Sequence, residues 1–320
     1  MRSMFLVCVA LLLGLAGAKG ARVGESQSAS GLPGGEVVFT RSDASHSHPR
    51  LYLTASDGSH QRLLVRNASQ AAVSPDGRRI AFVRSGALWA MQRDGSHPVR
   101  LTTPTAAPKQ GVAPGTSAIE DNGPAWSPDG TKIYFARLDW KIETNSLFVI
   151  RADGTGLHRL TRPVITDHGH CQDNPAPSPD GRLIAFAESF DCEHSSDVTI
   201  NAITAAGRPA RLPFAFRGEL TSDPAWAPSG QVLAYNCLDA AADMAGRTGV
   251  SGLYVSAADG SPTRRLVRGS NLRAPAWSAD GKWIVFAGTR GIALESADGT
   301  GLRVLTKGVD ADPAWLPSLR

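Results

Sequence analysis

The chain has 320 residues, of which 42% are hydrophobic and 19% charged, so it can bury a core and does not have the composition of a disordered chain. The formal net charge is +4, but the basic residues are scattered without a run or stripe, which argues against a nucleic-acid partner. The 33 glycines and 21 prolines favour strands joined by tight turns over helices.

The N-terminus has the pattern of an export signal. Arg2 precedes an apolar run, Met4–Leu15, and the small residues Ala16-Gly17-Ala18 follow it. The run is shorter than the ~20 apolar residues of a spanning helix, and no later stretch is long enough. We therefore expect a signal peptide over residues 1–18, a short linker over residues 19–33, and a mature protein that is exported to the periplasm or the cell exterior, monomeric and not membrane-spanning.

One motif, close to Pro-Ala-Trp-Ser-Pro-Asp-Gly, recurs roughly every 50 residues. Within it, proline sets φ, aspartate accepts local backbone hydrogen bonds and glycine tolerates positive φ, as a tight turn requires. An alternating strand follows each full copy, with a pair of apolar residues on one face, such as Ile133 and Phe135. The copies begin at Ala71, Pro124, Pro175, Pro224, Pro275 and, in truncated form, Pro313.

A second turn signal falls once in each repeat. Most repeats have an Asp-Gly pair between apolar runs, as in Asp153-Gly154, which is typical of a β-hairpin. Each repeat then contains four strands and corresponds to one propeller blade. We predict an all-β, six-bladed β-propeller of four-stranded antiparallel blades over residues 34–320. The C-terminal strand, Pro313–Pro317, should pair with the N-terminal strands and close the ring.

These motifs, together with the Ala-Asp-Gly-Thr hairpins that end in Leu-Thr, resemble the WD-like repeats of the TolB family of exported bacterial proteins. The resemblance covers about residues 34–320. It implies an envelope protein that binds a protein partner at the mouth of a propeller. TolB also has an α/β domain ahead of its propeller, and we expect that domain to be absent here. Similar repeats occur in propellers of prolyl-peptidase-type hydrolases and of some polysaccharide lyases.

Loop lengths distinguish the two faces of the predicted propeller. The Ser-Pro-Asp-Gly and Asp-Gly turns on one face are uniformly tight, whereas the loops on the opposite face, here called the loop-bearing face, vary in length. Binding residues concentrate in such variable loops. Polar residues expected to surround the channel mouth on this face, and to bind a basic or amide-rich peptide or a cation, are Asp121, Asn122, Asp173, Asn174, Asp223, Arg273 and Asp312. The alternative is that these side chains cap strand starts through local hydrogen bonds.

Other candidate residues lie in the variable loops. Trp140 is a candidate partner contact, since large aromatics in variable loops often anchor partners; the alternative is that it folds back onto the protein. Cys171 and Cys192 are expected to form a disulfide that links two loops of one blade, in an oxidising compartment. The alternative is that they are buried thiols. A local metal site is a further hypothesis, although polar surface histidines explain the pattern as well; its residues would be His168, His170 and His194.

The leading interpretation is a non-catalytic binding protein without a cofactor, whose partner is a protein or peptide of the cell envelope. The sequence contains no G-x-S-x-G, H-E-x-x-H or P-loop motif. The alternative is a metal-dependent polysaccharide lyase or hydrolase that uses the histidines of the loop-bearing face. A third interpretation is a structural assembly factor with no ligand in its channel.

Overall fold

The structure, a computed structural model, describes residues 32–43, 48–103, 119–139, 142, 144–162, 169–190, 198–216, 220–238 and 251–318. These residues form six sheets of four antiparallel strands, which confirms the predicted six-bladed propeller. None of the described residues belongs to a helix that could cross a membrane. The predicted signal peptide, residues 1–18, lies outside the described ranges and stays a prediction.

The first three blades are given from the channel outwards. Blade 1 consists of β24 (Asp310–Leu316), β1 (Glu36–Arg41), β2 (Arg50–Ala55) and β3 (Arg62–Arg66). Blade 2 consists of β4 (Ser69–Val73), β5 (Arg79–Arg84), β6 (Ala87–Gln92) and β7 (Val99–Arg100). Blade 3 consists of β8 (Ile119–Trp126), β9 (Lys132–Asp139), β10 (Thr144–Arg151) and β11 (His158–Arg159).

The other three blades follow the same order. Blade 4 consists of β12 (Cys171–Pro177), β13 (Leu183–Ser189), β14 (Thr199–Thr204) and β15 (Pro209–Ala210). Blade 5 consists of β16 (Leu220–Trp226), β17 (Val232–Leu238), β18 (Gly252–Ala257) and β19 (Arg264–Arg268). Blade 6 consists of β20 (Arg273–Trp277), β21 (Trp283–Gly288), β22 (Gly291–Ser296) and β23 (Arg303–Val304).

The ring closes within blade 1, as predicted. The C-terminal strand β24 pairs with β1 in antiparallel register, so that Val37 lies opposite Trp315. Both side chains are buried in a cluster that also contains residues of blade 6. Pairing the two ends of the described chain removes the open sheet edge that would otherwise remain at the seam.

The Ser-Pro-Asp-Gly turns are held by their own side chains. In blade 3 the Ser127 hydroxyl donates to Asp129, and the backbone N–H of Lys132 donates to Ser127 Oγ at 2.9 Å. Gly130 has φ +67°, which explains the glycine at that position. The same Ser–Asp hydrogen bond occurs at Ser74, Ser178 and Ser278. The repeated motif thus encodes one rigid turn for most blades.

The hydrophobic core lies between neighbouring blades. Ile133 and Phe135 of blade 3, for example, are fully buried in a cluster with Ala81 and Leu88 of blade 2. Tryptophans of the repeat reinforce these contacts through the indole N–H. Each indole N–H donates to a backbone carbonyl of the preceding blade, in the pairs Trp126 to Ala72, Trp226 to Ala176 and Trp277 to Ala225. The blades are therefore locked together at fixed spacing, which positions the innermost strands around one channel.

Candidate functional site

The central channel is lined by one residue from each innermost strand, and all six have left-handed backbone. Their φ values lie between 48° and 57°. A non-glycine residue in this region is uncommon, and strain of this kind is characteristic of binding and catalytic sites. A β-bulge accompanies the residue in every innermost strand. The six channel residues are Gln70, Gly123, Asn174, Asp223, Ala274 and Asp312.

The channel residues and the residues that follow them enclose a cavity of about 150 Å³. Several of their side chains reach across to a neighbouring blade. Gln70 Oε1 accepts a hydrogen bond from the Gly123 N–H at 3.0 Å, and Asn174 Nδ2 donates to Asp223 Oδ1 at 2.6 Å. Asp223 Oδ2 also accepts from Asn236 Nδ2 at 2.9 Å. The channel wall is therefore polar and is organised by hydrogen bonds between blades.

Three carboxylates, from blades 4, 5 and 1, lie in or next to the wall of this channel. Burial raises the pKa of Asp173 to about 6, and the negative charge of Asp223 adds to the effect. The hydrogen bond from Asn145 Nδ2, at 2.7 Å, opposes the rise. Burial likewise raises the pKa of Asp312, although a hydrogen bond with Thr40 opposes it. A cationic group entering the channel would relieve the repulsion between these acids.

Arg273 is a cation whose charge acts on this cluster at Asp312. It lowers the pKa of Asp312, whereas Asp223 raises it. Arg273 thus offsets part of the effect of Asp223 on Asp312. The channel wall is consequently richer in negative than in positive charge, which suits a cationic or hydrogen-bond-donating group of a ligand.

The structure brings together part of the predicted set of mouth residues. Asn174, Asp223 and Asp312 line the channel, the charge of Asp223 acts on Asp173, and the charge of Arg273 acts on Asp312. Asn122 is half-buried and directly precedes the channel residue Gly123. These positions follow from the repeat, because equivalent residues of different blades face the same axis.

Asp121 differs from the other predicted mouth residues. It is 2% exposed and forms a two-pronged ion pair with Arg137, with distances of 2.6 Å to Nε and 2.9 Å to Nη2. The Thr102 hydroxyl donates to the same carboxylate. Its oxygens are thus occupied within the protein, and Asp121 has a structural role in place of the expected position at the mouth.

Gln70, Gly123 and Ala274 were not among the predicted channel residues. The sequence did contain a signal for them, because each channel residue directly precedes a copy of the repeated motif. Gly123 and Ala274 carry no functional group, so a search for chemically active side chains passes over them. Their place in the ring depends on the bulge, which a strict alternation of strand residues does not reveal.

His170 lies in a buried polar network in blade 4. It is 1% exposed, its Nε2 is 3.0 Å from Glu188 Oε1, and its ring stacks on Phe190. Burial raises the pKa of Glu188, but hydrogen bonds with His170 and Gln172 outweigh it and hold that pKa below its ordinary value. No group of three His, Cys, Asp or Glu residues within the described ranges could hold a metal ion.

The remaining predicted residues lie partly outside the described ranges. Cys171 is disulfide-bonded, and Cys237 carries a buried thiol. The predicted partner Cys192 lies outside those ranges, so its pairing with Cys171 stays a prediction. Trp140, His168 and His194 also lie outside the residues that the structure describes.

Comparison with known proteins places the fold among several propellers. A family model described as the dipeptidyl peptidase IV (DPP IV) N-terminal region matches residues 47–155. A comparison with curated proteins found no match. TolB from Acinetobacter baumannii is similar with a TM-score of 0.68 and 17% identity, over 90% of this chain and 69% of that chain.

Two further structures show how widely the fold is shared. The putative TolB from Agrobacterium tumefaciens has a TM-score of 0.59 and 16% identity, over 89% of this chain and 99% of that chain. An oligogalacturonate lyase from Vibrio parahaemolyticus has a TM-score of 0.54 and 12% identity, over 85% of this chain and 79% of that chain. At these identities the similarity shows a TolB-like propeller fold, which is shared with enzymes.

Proposed function

We propose that the chain is an exported, non-catalytic propeller that binds a protein or peptide partner at its loop-bearing face and channel mouth, in a cell-envelope role like that of TolB. The observation that carries this proposal is the group of carboxylates on a strained, polar channel wall. Asp173 and Asp312 have raised pKa values through burial, so ionising them there is unfavourable. A partner that brings a positive charge or N–H donors offsets that cost.

Three further observations support a binding role. The N-terminal sequence has the features of a signal peptide. The variable loops share one predicted face, whereas the tight turns on the other face repeat from blade to blade. The sequence also has no motif of a serine hydrolase, a zinc protease or a P-loop enzyme. Localisation to the periplasm or the cell exterior, a monomeric state and the absence of a cofactor are parts of the same proposal.

A charge-matched pair of variants tests the channel. The first replaces the channel acids Asp173, Asp223 and Asp312 by Asn. The control makes the same replacement at acids of the opposite, tight-turn face, namely Asp94, Asp153 and Asp259. Both variants lose three carboxylates, but only the first changes the channel.

Each protein is used to capture partners from envelope extract, and recovery is quantified by mass spectrometry. We expect wild type and the control to recover the same partner, and the channel variant to recover it at least about tenfold less well, as the loss of a buried charge contact predicts. Equal recovery by all three proteins would contradict binding at the channel.

The alternative is a metal-dependent lyase or hydrolase of acidic sugars, since the chain shares its fold with an oligogalacturonate lyase. The position of His170 argues against a metal-binding role, because its Nε2 lies 3.0 Å from Glu188 Oε1 in a buried network. Metal analysis of untagged protein, with His170→Ala as the comparison, distinguishes the two. Stoichiometric metal that disappears in the variant would favour the enzyme.

A further inference from the structure

A second cavity lies on blade 3, away from the central channel. Its volume is about 230 Å³, and it shares no lining residue with the channel cavity. It arises because β8, β9 and β10 have eight residues each, more than any other strand that the structure describes. The extra length adds a rung in which Ile119 and Thr144 flank Asp139. Within the described ranges, blade 3 therefore has the longest strands of the six blades.

One face of the blade provides most of the lining. Arg137 lies opposite Ser146 in the sheet, and Phe148 lies opposite Arg159. The walls combine apolar surface with a small number of polar groups, which is typical of a site for a small organic ligand. The lining residues are Ile119, Arg137, Asp139, Ile142, Thr144, Ser146, Phe148 and Arg159.

Two guanidinium groups meet at the Phe148 ring. The Cζ of Arg137 is 5.0 Å from the ring centroid and the Cζ of Arg159 is 5.1 Å from it, so the two carbons lie within about 10 Å of each other. Asp121 neutralises Arg137 through its two-pronged ion pair. Within the described ranges, Arg159 has no carboxylate at ion-pair distance. Arg159 is exposed and contributes a positive charge to the lining outside the Asp121 ion pair, and Asp139 contributes a negative charge that has interactions of its own.

Ser146 supplies a second donor. The residue is 3% exposed, and it lines the cavity. A ligand placed there can accept a hydrogen bond from the Ser146 hydroxyl while it pairs with Arg159.

We propose that this cavity binds a small organic monocarboxylate. The planar guanidinium of Arg159 matches a carboxylate in shape and charge, and the Ser146 hydroxyl donates to one of its oxygens. Arg159 is the lining guanidinium outside the Asp121 ion pair, and Asp139 repels a phosphate dianion more strongly than a monoanion, which favours a monocarboxylate. Ile119, Ile142 and Phe148 would contact a short apolar or aromatic body. The volume is below the roughly 300–1,000 Å³ of sites for drug-sized ligands, so the ligand is small.

Blade 2 shows why the equivalent arginine is not expected to bind such a ligand. Arg100 occupies the same register, opposite Trp89, that Arg159 occupies opposite Phe148. Its Nε, however, donates to the Thr102 carbonyl at 2.7 Å. In addition, only Ser85 and Gly86 separate β5 from β6, so blade 2 has no extra rung. Arg100 is therefore a matched control for Arg159.

The test is calorimetric titration of the full chain with benzoate and hexanoate, and with benzamide as the neutral analogue of benzoate. We expect saturable binding of at least one carboxylate, and binding of benzamide at least about tenfold weaker, because it lacks the charge that Arg159 recognises. Arg159→Gln should weaken carboxylate binding by at least about tenfold, and Ser146→Ala by about three- to tenfold. Arg100→Gln should change it less than about twofold.

Three outcomes would overturn the proposal. They are the absence of saturable binding of both carboxylates, equal binding of benzoate and benzamide, and equal weakening by Arg159→Gln and Arg100→Gln. Thermal unfolding of each variant checks that it is folded before titration. The result is independent of partner capture at the channel, because the two cavities share no residue.

Discussion

Blades 2 and 3 have the same aromatic and arginine stack but differ in how its charge is balanced. In blade 2 the Arg84 guanidinium lies 5.1 Å from the Trp89 ring, and in blade 3 the Arg137 guanidinium lies 5.0 Å from the Phe148 ring. Each arginine lies at or near the end of the second strand of its blade. The stack is thus a feature of the scaffold that successive repeats share.

The two blades differ in whether this arginine has a carboxylate partner. Blade 3 places Asp121 on its innermost strand, where it binds Arg137. The equivalent position in blade 2 is Ala68. Arg84 Nε and Trp89 Nε1 are buried there without hydrogen-bond partners in the described structure, and Arg84 Nη2 reaches only the Arg66 carbonyl, at 3.3 Å. The cation–π stack therefore persists without the acid, so the acid contributes stability that varies from blade to blade.

Removing the acid of blade 3 is expected to have the largest effect. Asp121→Ala leaves Arg137, whose side chain is 11% exposed, without its carboxylate. The free energy of unfolding should fall by about 3–5 kcal/mol, because an uncompensated charge then remains largely buried. Chemical denaturation followed by tryptophan fluorescence measures the change.

A double variant separates the ion pair from simple loss of packing. Asp121→Ala combined with Arg137→Met removes both charges, and it should be more stable than Asp121→Ala alone, since no unpaired charge remains. If Asp121→Ala stayed within about 1 kcal/mol of wild type, the pair would not have the structural role assigned to it.

Asp173 shows the opposite imbalance, a partly buried carboxylate that forms no ion pair with an arginine of the described ranges. Burial raises its pKa from 3.8 to about 6 in the folded state. The folded protein therefore holds a proton that the unfolded chain releases. This contribution to stability is complete below about pH 4 and is lost as the pH rises through about 6. The effect should be smaller than the loss of Asp121, because Asp173 keeps its hydrogen bond from Asn145.

Denaturation midpoints between about pH 4 and pH 7 test this sign. Relative to Asp173→Asn, wild type should lose stability across that range. Asp153→Asn is the control, because hydrogen bonds in an exposed turn lower the pKa of Asp153. Parallel curves for wild type and Asp173→Asn would show that burial does not perturb Asp173.

The predictive power of the sequence differs between the turns and the channel. Ser127 and Asp129 are two residues apart, and the Ser127 hydroxyl donates a hydrogen bond to Asp129. The motif alone therefore predicts the turn and, with it, the blades. Asp121 and Arg137 pair across two strands, and that contact depends on a register that a bulge shifts between Asn122 and Ala125. The same bulge makes Gly123 a channel residue. The turns could thus be predicted in full, whereas only three of the six channel residues, Asn174, Asp223 and Asp312, are among those predicted from the sequence.

Installing the missing acid of blade 2 should have the smallest effect and the opposite sign. Ala68→Asp places a carboxylate near Arg84 in the way that Asp121 lies near Arg137. Ala68 is 1% exposed, so the larger side chain has some packing cost. Hydrogen bonds to a charged group contribute about 1.5–3 kcal/mol, and the unpartnered Arg84 Nε gains an acceptor, so we expect the free energy of unfolding to rise by about 1 kcal/mol.

Ala68→Asn is the control of equal size. Arg84→Gln in the Ala68→Asp background should cancel the gain, since a carboxylate without its cation is then buried. If Ala68→Asp were less stable than Ala68→Asn, a carboxylate beside Arg84 would not stabilise blade 2. The difference between the two blades would then lie in packing instead of charge.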